Sequence, residues 1–177
     1  EDSPEFRAAR AAYRGQAHDL LNDGVDGILL ETFTSIRDLQ PALAGVGDAA
    51  DGMPILVSFA VDDEAKLLGD GLTIEGAVVF AEKHGAAATG VNCCSLSAAD
   101  QAVPRLMAAA KGPVMVRPNA GDPHVIDGMP FWSEVPEAFA AACTRWKQAG
   151  VALVGSCCGT TAATTAAMAE ALGVFEA

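Results

Sequence analysis

Short, almost wholly apolar runs recur along this chain, each followed by a longer stretch in which apolar residues return every three or four positions. Runs of the first kind read as buried strands, and stretches of the second as amphipathic helices. The chain opens with a helical segment, Pro4 to Asn22, that stops at Gly24, and a strand from Gly27 to Leu30 then runs into Glu31-Thr32. A helix over Ser35 to Leu43, a strand over Pro54 to Phe59 and a helix over Thr73 to His84 follow, with Gly85 where a glycine belongs after a helix end. The series continues as strand Ala87 to Asn92, helix Ala98 to Ala110 and strand Pro113 to Arg117, which runs into Pro118-Asn119. Gly121 to Trp132, rich in Gly, Pro and Asp, reads as a loop across the strand ends. Helix Pro136 to Gln148, strand Val151 to Val154 and helix Thr161 to Leu172 complete it.

Repeated strand–helix units with apolar strands argue for a parallel sheet covered by helices. Polar residues able to do chemistry recur just past each strand: Glu31, Ser58, Asn92-Cys93, Asn119 and Cys157-Cys158. In a (β/α)8 barrel all of these arrive at one rim, whereas a doubly wound sheet gathers its site mainly at one crevice. Five contributing strands favour the barrel. The expectation is an α/β chain forming the later part of a (β/α)8 TIM barrel, with about five βα units in one domain over residues 1–177 and about three units upstream.

Composition narrows the function. A chain of 177 residues with 51% hydrophobic content suits one core. A net charge of −12 argues against nucleic acid and against an anionic membrane surface. No apolar run approaches the roughly 18 residues that span a bilayer, and no signal peptide is visible. Five cysteines, four of them in vicinal pairs, do not form the pattern of a secreted disulfide framework and point to a reducing cytoplasm. Oligomeric state is left open, self-association included.

The vicinal pairs, Cys93-Cys94 and Cys157-Cys158, each follow an apolar run, Ala86 to Val91 and Val151 to Val154. Neighbouring side chains on an extended strand face opposite ways, so a turn is needed to aim both at one point. Gly155 and Gly159 permit one after Ser156. Three thiolates converging at two strand ends make an S3 metal site with one open position, the layout of a catalytic rather than a structural zinc. The rival readings are buried apolar cysteines and a phosphate-binding glycine turn over Gly155 to Thr161. Cys143 lies in an alanine-rich helix and reads as core. Ser58 has no paired histidine to activate it, His124 falls in the rim loop, and His18 and His84 read as helix-surface residues. Asp62-Asp63-Glu64 and Asp70 read as loop solubilisers.

Five segments together resemble the homocysteine S-methyltransferase family: Asp26-Gly27-Ile28-Leu29-Leu30-Glu31-Thr32, Pro54-Ile55-Leu56-Val57-Ser58-Phe59, Gly90-Val91-Asn92-Cys93, Pro118-Asn119-Ala120-Gly121 and Gly155-Ser156-Cys157-Cys158-Gly159-Thr160-Thr161. They stand in family order over essentially the whole chain, with Ser156 where the family pattern has glycine. The resemblance implies Zn2+ held by Cys93, Cys157 and Cys158, with Cys94 packed against the outer helices and Asn119 filling the fourth zinc position before substrate arrives. It further implies homocysteine as substrate, with Glu31 taking its ammonium and Thr32, Ser58 and Asn92 lining the site. Thr32 counts against the betaine-using branch, which carries tyrosine there, and Pro118 to Gly121 is closer to the cobalamin-dependent branch. The methyl donor so implied is methylcobalamin or a folate-linked methyl, delivered as a small molecule or by a corrinoid protein. S-methylmethionine is the alternative donor, and a non-catalytic zinc-binding segment needing a partner is the alternative of another class.

Overall fold

Strand and helix alternate throughout the computed structural model, which describes residues 3–50, 52–121 and 123–174. Helix α1 (Pro4–Asn22) leads into β1 (Ile28–Phe33), and α2 (Ile36–Ala49), β2 (Ile55–Phe59), α3 (Ile74–Lys83), β3 (Ala86–Asn92), α4 (Leu96–Ala109) and β4 (Val114–Arg117) follow. A hairpin of β5 (His124–Ile126) and β6 (Met129–Phe131) precedes α5 (Pro136–Ala149), β7 (Leu153–Val154) and α6 (Ala162–Leu172). Five strands pair in parallel in the order β1-β2-β3-β4-β7. That order follows the chain without reversal, as the arc of a barrel does and a doubly wound sheet does not.

Local chemistry starts the helices where the sequence pattern places them. Ser3, Ser35, Thr73 and Ser95 each accept a hydrogen bond from the backbone N–H three residues on, at the N-termini of α1 to α4. Alternate strand residues then sort to two faces. Ile55, Val57 and Phe59 of β2, Val91 of β3, and Val114 and Val116 of β4 join Leu39, Val78, Leu106, Phe139 and Trp146 in the buried core beneath the helices. Leu29 and Leu153, on the outermost strands, stay 37% and 41% exposed.

Several elements depart from the sequence expectation. The segment expected as a loop over Gly121 to Trp132 contains the β5–β6 hairpin, closed at Asp127-Gly128 with positive φ at both residues, 51° and 78°. Asp-Gly suits a two-residue hairpin turn, whose backbone needs φ above zero twice. Helix α2 runs six residues past Leu43 because glycine serves packing there: a Cβ at Gly45 would stand 2.3 Å from the Arg10 carbonyl oxygen of α1. Strand β1 continues through Glu31-Thr32 with a register shift between Leu30 and Phe33, and β7 shrinks to two residues. Asp70 does more than solubilise its loop. Its carboxylate accepts from the Ile36 N–H at the start of α2 (2.8 Å) and from the Leu72 N–H (3.0 Å).

Candidate metal centre

Every polar residue expected at a strand end arrives on one rim of the sheet. Cys93 follows β3 directly with φ of 56°, a left-handed turn that lifts its side chain out of the strand's alternation. Cys157 and Cys158 lie in the turn between β7 and α6. The Sγ atoms of the three lie within 4.8 Å of one another, with Cys93–Cys158 at 3.8 Å and Cys157–Cys158 at 3.9 Å. Ligands of a tetrahedral ion with metal–sulfur bonds of about 2.3 Å stand about 3.8 Å apart, so the donor set fits zinc. Burial, then the neighbouring Cys157 and Cys158, push the Cys93 thiol up to about 11. Burial and its neighbours make the Cys93 thiol hold its proton, and a divalent cation at the centre of the three sulfurs would reverse that preference. Cys94 points the other way into the core, where burial pushes its thiol up to about 12, and Cys143 is wholly buried in α5.

A buried amide holds this rim together. The Asn92 Oδ1 accepts from the Thr32 N–H (2.9 Å) and from the Ser58 hydroxyl (2.6 Å). Its Nδ2 donates to Thr32 Oγ1 (2.7 Å) and reaches Cys157 Sγ at 4.0 Å. Asn92 and Ser58 are both fully buried, so β2 and β3 are tied beneath the cysteines by groups with no water to compensate them, and the exposed Thr32 ties β1 to the same amide. Thr32 has φ of 66°, an uncommon conformation for a β-branched residue, and both its N–H and its hydroxyl are fastened to the same amide. Asn119, after β4, accepts from the Cys158 N–H through Oδ1 (3.1 Å), while its own N–H donates to the Cys94 carbonyl (2.8 Å). It thereby joins the two cysteine segments.

Glu31, lifted by the irregularity in β1, pairs with Arg117 at the end of β4 (2.6 Å). Arg117 was not among the residues singled out from sequence. The usable signal was its place: a cation closing a strand directly before Pro118-Asn119. His124 is exposed on β5, and His18 and His84 lie exposed on or beside helices, away from the cluster. The Trp132 ring lies against the cysteine turn so closely that a Cβ at Gly159 would sit 2.2 Å from it.

The turn has little left for a phosphate. The N–H groups of Gly155, Cys157, Cys158, Thr160 and Thr161 already donate to Val116 O, Pro118 O, Asn119 Oδ1, Cys157 O and Thr164 Oγ1. A phosphate cradle needs such donors free.

A family model described as homocysteine S-methyltransferase matches residues 1–172. The methionine synthase of Mycobacterium leprae is 31% identical over 163 residues, 89% of this chain and 13% of that protein. The homocysteine S-methyltransferase of Escherichia coli is 30% identical over 165 residues, 91% of this chain and 52% of that protein. Among solved structures, the apo form of the Escherichia coli homocysteine methyltransferase MmuM aligns with a TM-score of 0.76 at 25% identity, over 94% of this chain and 57% of that one. Its metallated form aligns at 0.74 and 28% identity, over 92% and 51%. These are TIM-barrel enzymes, and the five-stranded arc of this chain covers part of them. The chain spans about half the length of the homocysteine methyltransferases it matches and a far smaller share of the methionine synthase.

Proposed function

The chain belongs to the homocysteine S-methyltransferase family, and from that premise we propose that it serves in moving a methyl group to the thiol of homocysteine, forming methionine. One observation carries the reading. Cys93, Cys157 and Cys158, from two separate strand ends, bring three Sγ atoms within 4.8 Å of one another. Three thiolates suit zinc and leave one coordination position for a substrate. Bound there, zinc supplies the Lewis acidity that lets a thiol lose its proton at neutral pH, where a free thiol with a pKa near 8.5 is mostly protonated.

The remaining residues prepare that chemistry. Asn92 orients Cys157 and fixes the ends of β1 and β2 through Thr32 and Ser58, so these three serve the substrate site by holding its floor. Asn119 steadies the Cys158 peptide, and it would be the group offered to the metal before substrate arrives. Glu31 presents a carboxylate to the substrate ammonium at the same rim. No general base near the sulfur is needed, since the proton leaves as the thiol binds. The sulfur lone pair then forms the S–CH3 bond as the donor's bond to that methyl breaks, with orientation as the protein's main contribution.

The donor in this reading is methylcobalamin or a folate-linked methyl, delivered as a small molecule or by a corrinoid protein, supported by Pro118-Asn119-Ala120-Gly121 and by the likeness to a methionine synthase. S-methylmethionine is the runner-up donor. No helix among the described residues is long and apolar enough to cross a membrane, and the five free thiols suit a reducing cytoplasm as the place of action.

Metal analysis beside methyl transfer tests this. We expect about one zinc per chain, its loss with Cys157→Ser, its retention with Cys94→Ser and Cys143→Ser, and homocysteine methylation from one of the three donors. Zinc held without transfer from any of them would leave a metal-binding segment and no enzyme. Zinc lost with Cys94→Ser but kept with Cys93→Ser would mean the wrong member of the first pair was chosen.

A further inference from the structure

Arg117, at the end of β4, is a cation on the rim that the proposed chemistry leaves without a task. Its stem lies in a slot that exists because position 155 has no side chain: a Cβ there would stand 3.1 Å from Arg117 Cγ and 3.5 Å from Cδ. Its backbone carbonyl accepts from the Cys93 N–H (3.2 Å), and in the sheet it stands beside Asn92. The guanidinium is thus set between the two cysteine segments by contacts on both sides. Its side chain keeps 27% exposure and that of Glu31 45%, so both heads reach solvent at the rim.

The ion pair they form is only half used. Arg117 Nη1 meets Glu31 Oε2 at 2.6 Å, whereas guanidinium and carboxylate can pair through two parallel bonds. Among the described residues, Arg117 Nη2 and Nε and Glu31 Oε1 make no further hydrogen bond. A fixed cation beside a fixed anion, each partly exposed and with hydrogen-bonding capacity to spare, is the mirror of an α-amino acid head, which carries an ammonium beside a carboxylate. Resting on the homocysteine reading above, we propose that Arg117 is a specificity-determining residue that binds the α-carboxylate of the thiol substrate while Glu31 takes its ammonium. The pair then selects amino-acid thiols over simple ones, and Gly155 is required because it gives the Arg117 stem its slot.

Calorimetric binding to the zinc-loaded protein separates this from a structural strut, using homocysteine and 3-mercaptopropylamine, the same thiol without its carboxylate. Arg117→Gln should weaken homocysteine about tenfold to a hundredfold, the usual worth of a hydrogen bond to a charged group. It should change 3-mercaptopropylamine less than about threefold and leave zinc content unchanged. Arg117→Lys should recover part of the loss, since charge survives without the fork. Gly155→Ala should weaken homocysteine selectively in the same way by displacing the stem. Equal weakening of both thiols by Arg117→Gln, with zinc retained, overturns the carboxylate role and leaves the homocysteine reading standing. Wild-type protein that binds 3-mercaptopropylamine as tightly as homocysteine overturns it too. Wild-type protein that binds neither thiol overturns the proposed function, and this inference with it.

Discussion

One side chain, Asn92, sets the quality of the whole rim. It spends both lone-pair directions on Thr32 and Ser58 and both N–H groups on Thr32 and Cys157, and is itself fully buried. Deleting that amide would leave the buried Ser58 hydroxyl unpaired, strip the exposed Thr32 of two part-buried hydrogen bonds, and release a threonine held at φ of 66°. Each unpaired buried group costs about 1–3 kcal/mol, softened by local relaxation and by water entering the gap. Asn92→Ala should therefore lower unfolding free energy by about 1–3 kcal/mol in urea titrations. Zinc should also be surrendered more readily to a competing chelator, because Cys157 loses its orienting partner and metal ligands depend on such support. Asn92→Asp separates the two effects. It keeps the acceptor for the Thr32 N–H but places a negative charge against the thiolates, so metal affinity should suffer more than stability. An Asn92→Ala protein as stable and as zinc-retentive as the wild type would remove the amide from this account.

The elements show what a sequence carries openly and what it hides. Helix α1 is as the pattern draws it, and most strands and helices match to within a residue or two, because apolar period and serine or threonine caps are local signals. The four vicinal cysteines were legible for the same reason: each pair sits where an apolar run ends. What was hidden depends on a neighbour. The rest of α2 was obscured by Gly45 and Gly47, poor helix formers, yet Gly45 is there for the backbone of α1, a contact 35 positions away in the chain. The Glu31–Arg117 pair spans 86 positions, and nothing local announces it. The hairpin signal of Asp127-Gly128 was present but masked by surrounding glycine and proline. The two glycines of α2 make a matched test. Gly45→Ala should destabilise by about 1–3 kcal/mol, since its methyl would meet the Arg10 carbonyl and α1 must move. Gly47→Ala meets nothing within 4 Å and should stabilise by about 0.5–1 kcal/mol through helix propensity alone. Urea midpoints shifting in the same direction for both would show that the α1–α2 contact is looser than described.

At the scale of the molecule, thiol burial couples stability to alkaline pH and to metal. Burial is the leading cause that pushes Cys93 and Cys143 up to about 11 and Cys94 up to about 12, from an ordinary value of 9.0. The folded chain therefore keeps these protons to higher pH than the unfolded chain does. Stability from this source is complete below about pH 9 and is lost as pH rises from there toward 11, because the unfolded state alone gains by ionising. Metal changes one member of the set. Cys93 as a zinc ligand has already given up its proton in the folded state, so it leaves the alkaline balance, whereas Cys94 and Cys143 remain in it. Zinc also binds the folded chain in preference to the unfolded one and raises the midpoint at every pH where it stays bound. Thermal melts of chelator-treated protein should be nearly flat with pH up to about 8.5 and fall steadily above it. Zinc-loaded protein should melt higher and lose stability less steeply over the same range. Cys94→Ala with Cys143→Ala should melt lower at neutral pH, because two core positions shrink, yet show a shallower alkaline slope, and that slope is the quantity to compare. A metal-free midpoint that holds constant or rises to about pH 10.5 would mean that these thiols are not buried as thiols.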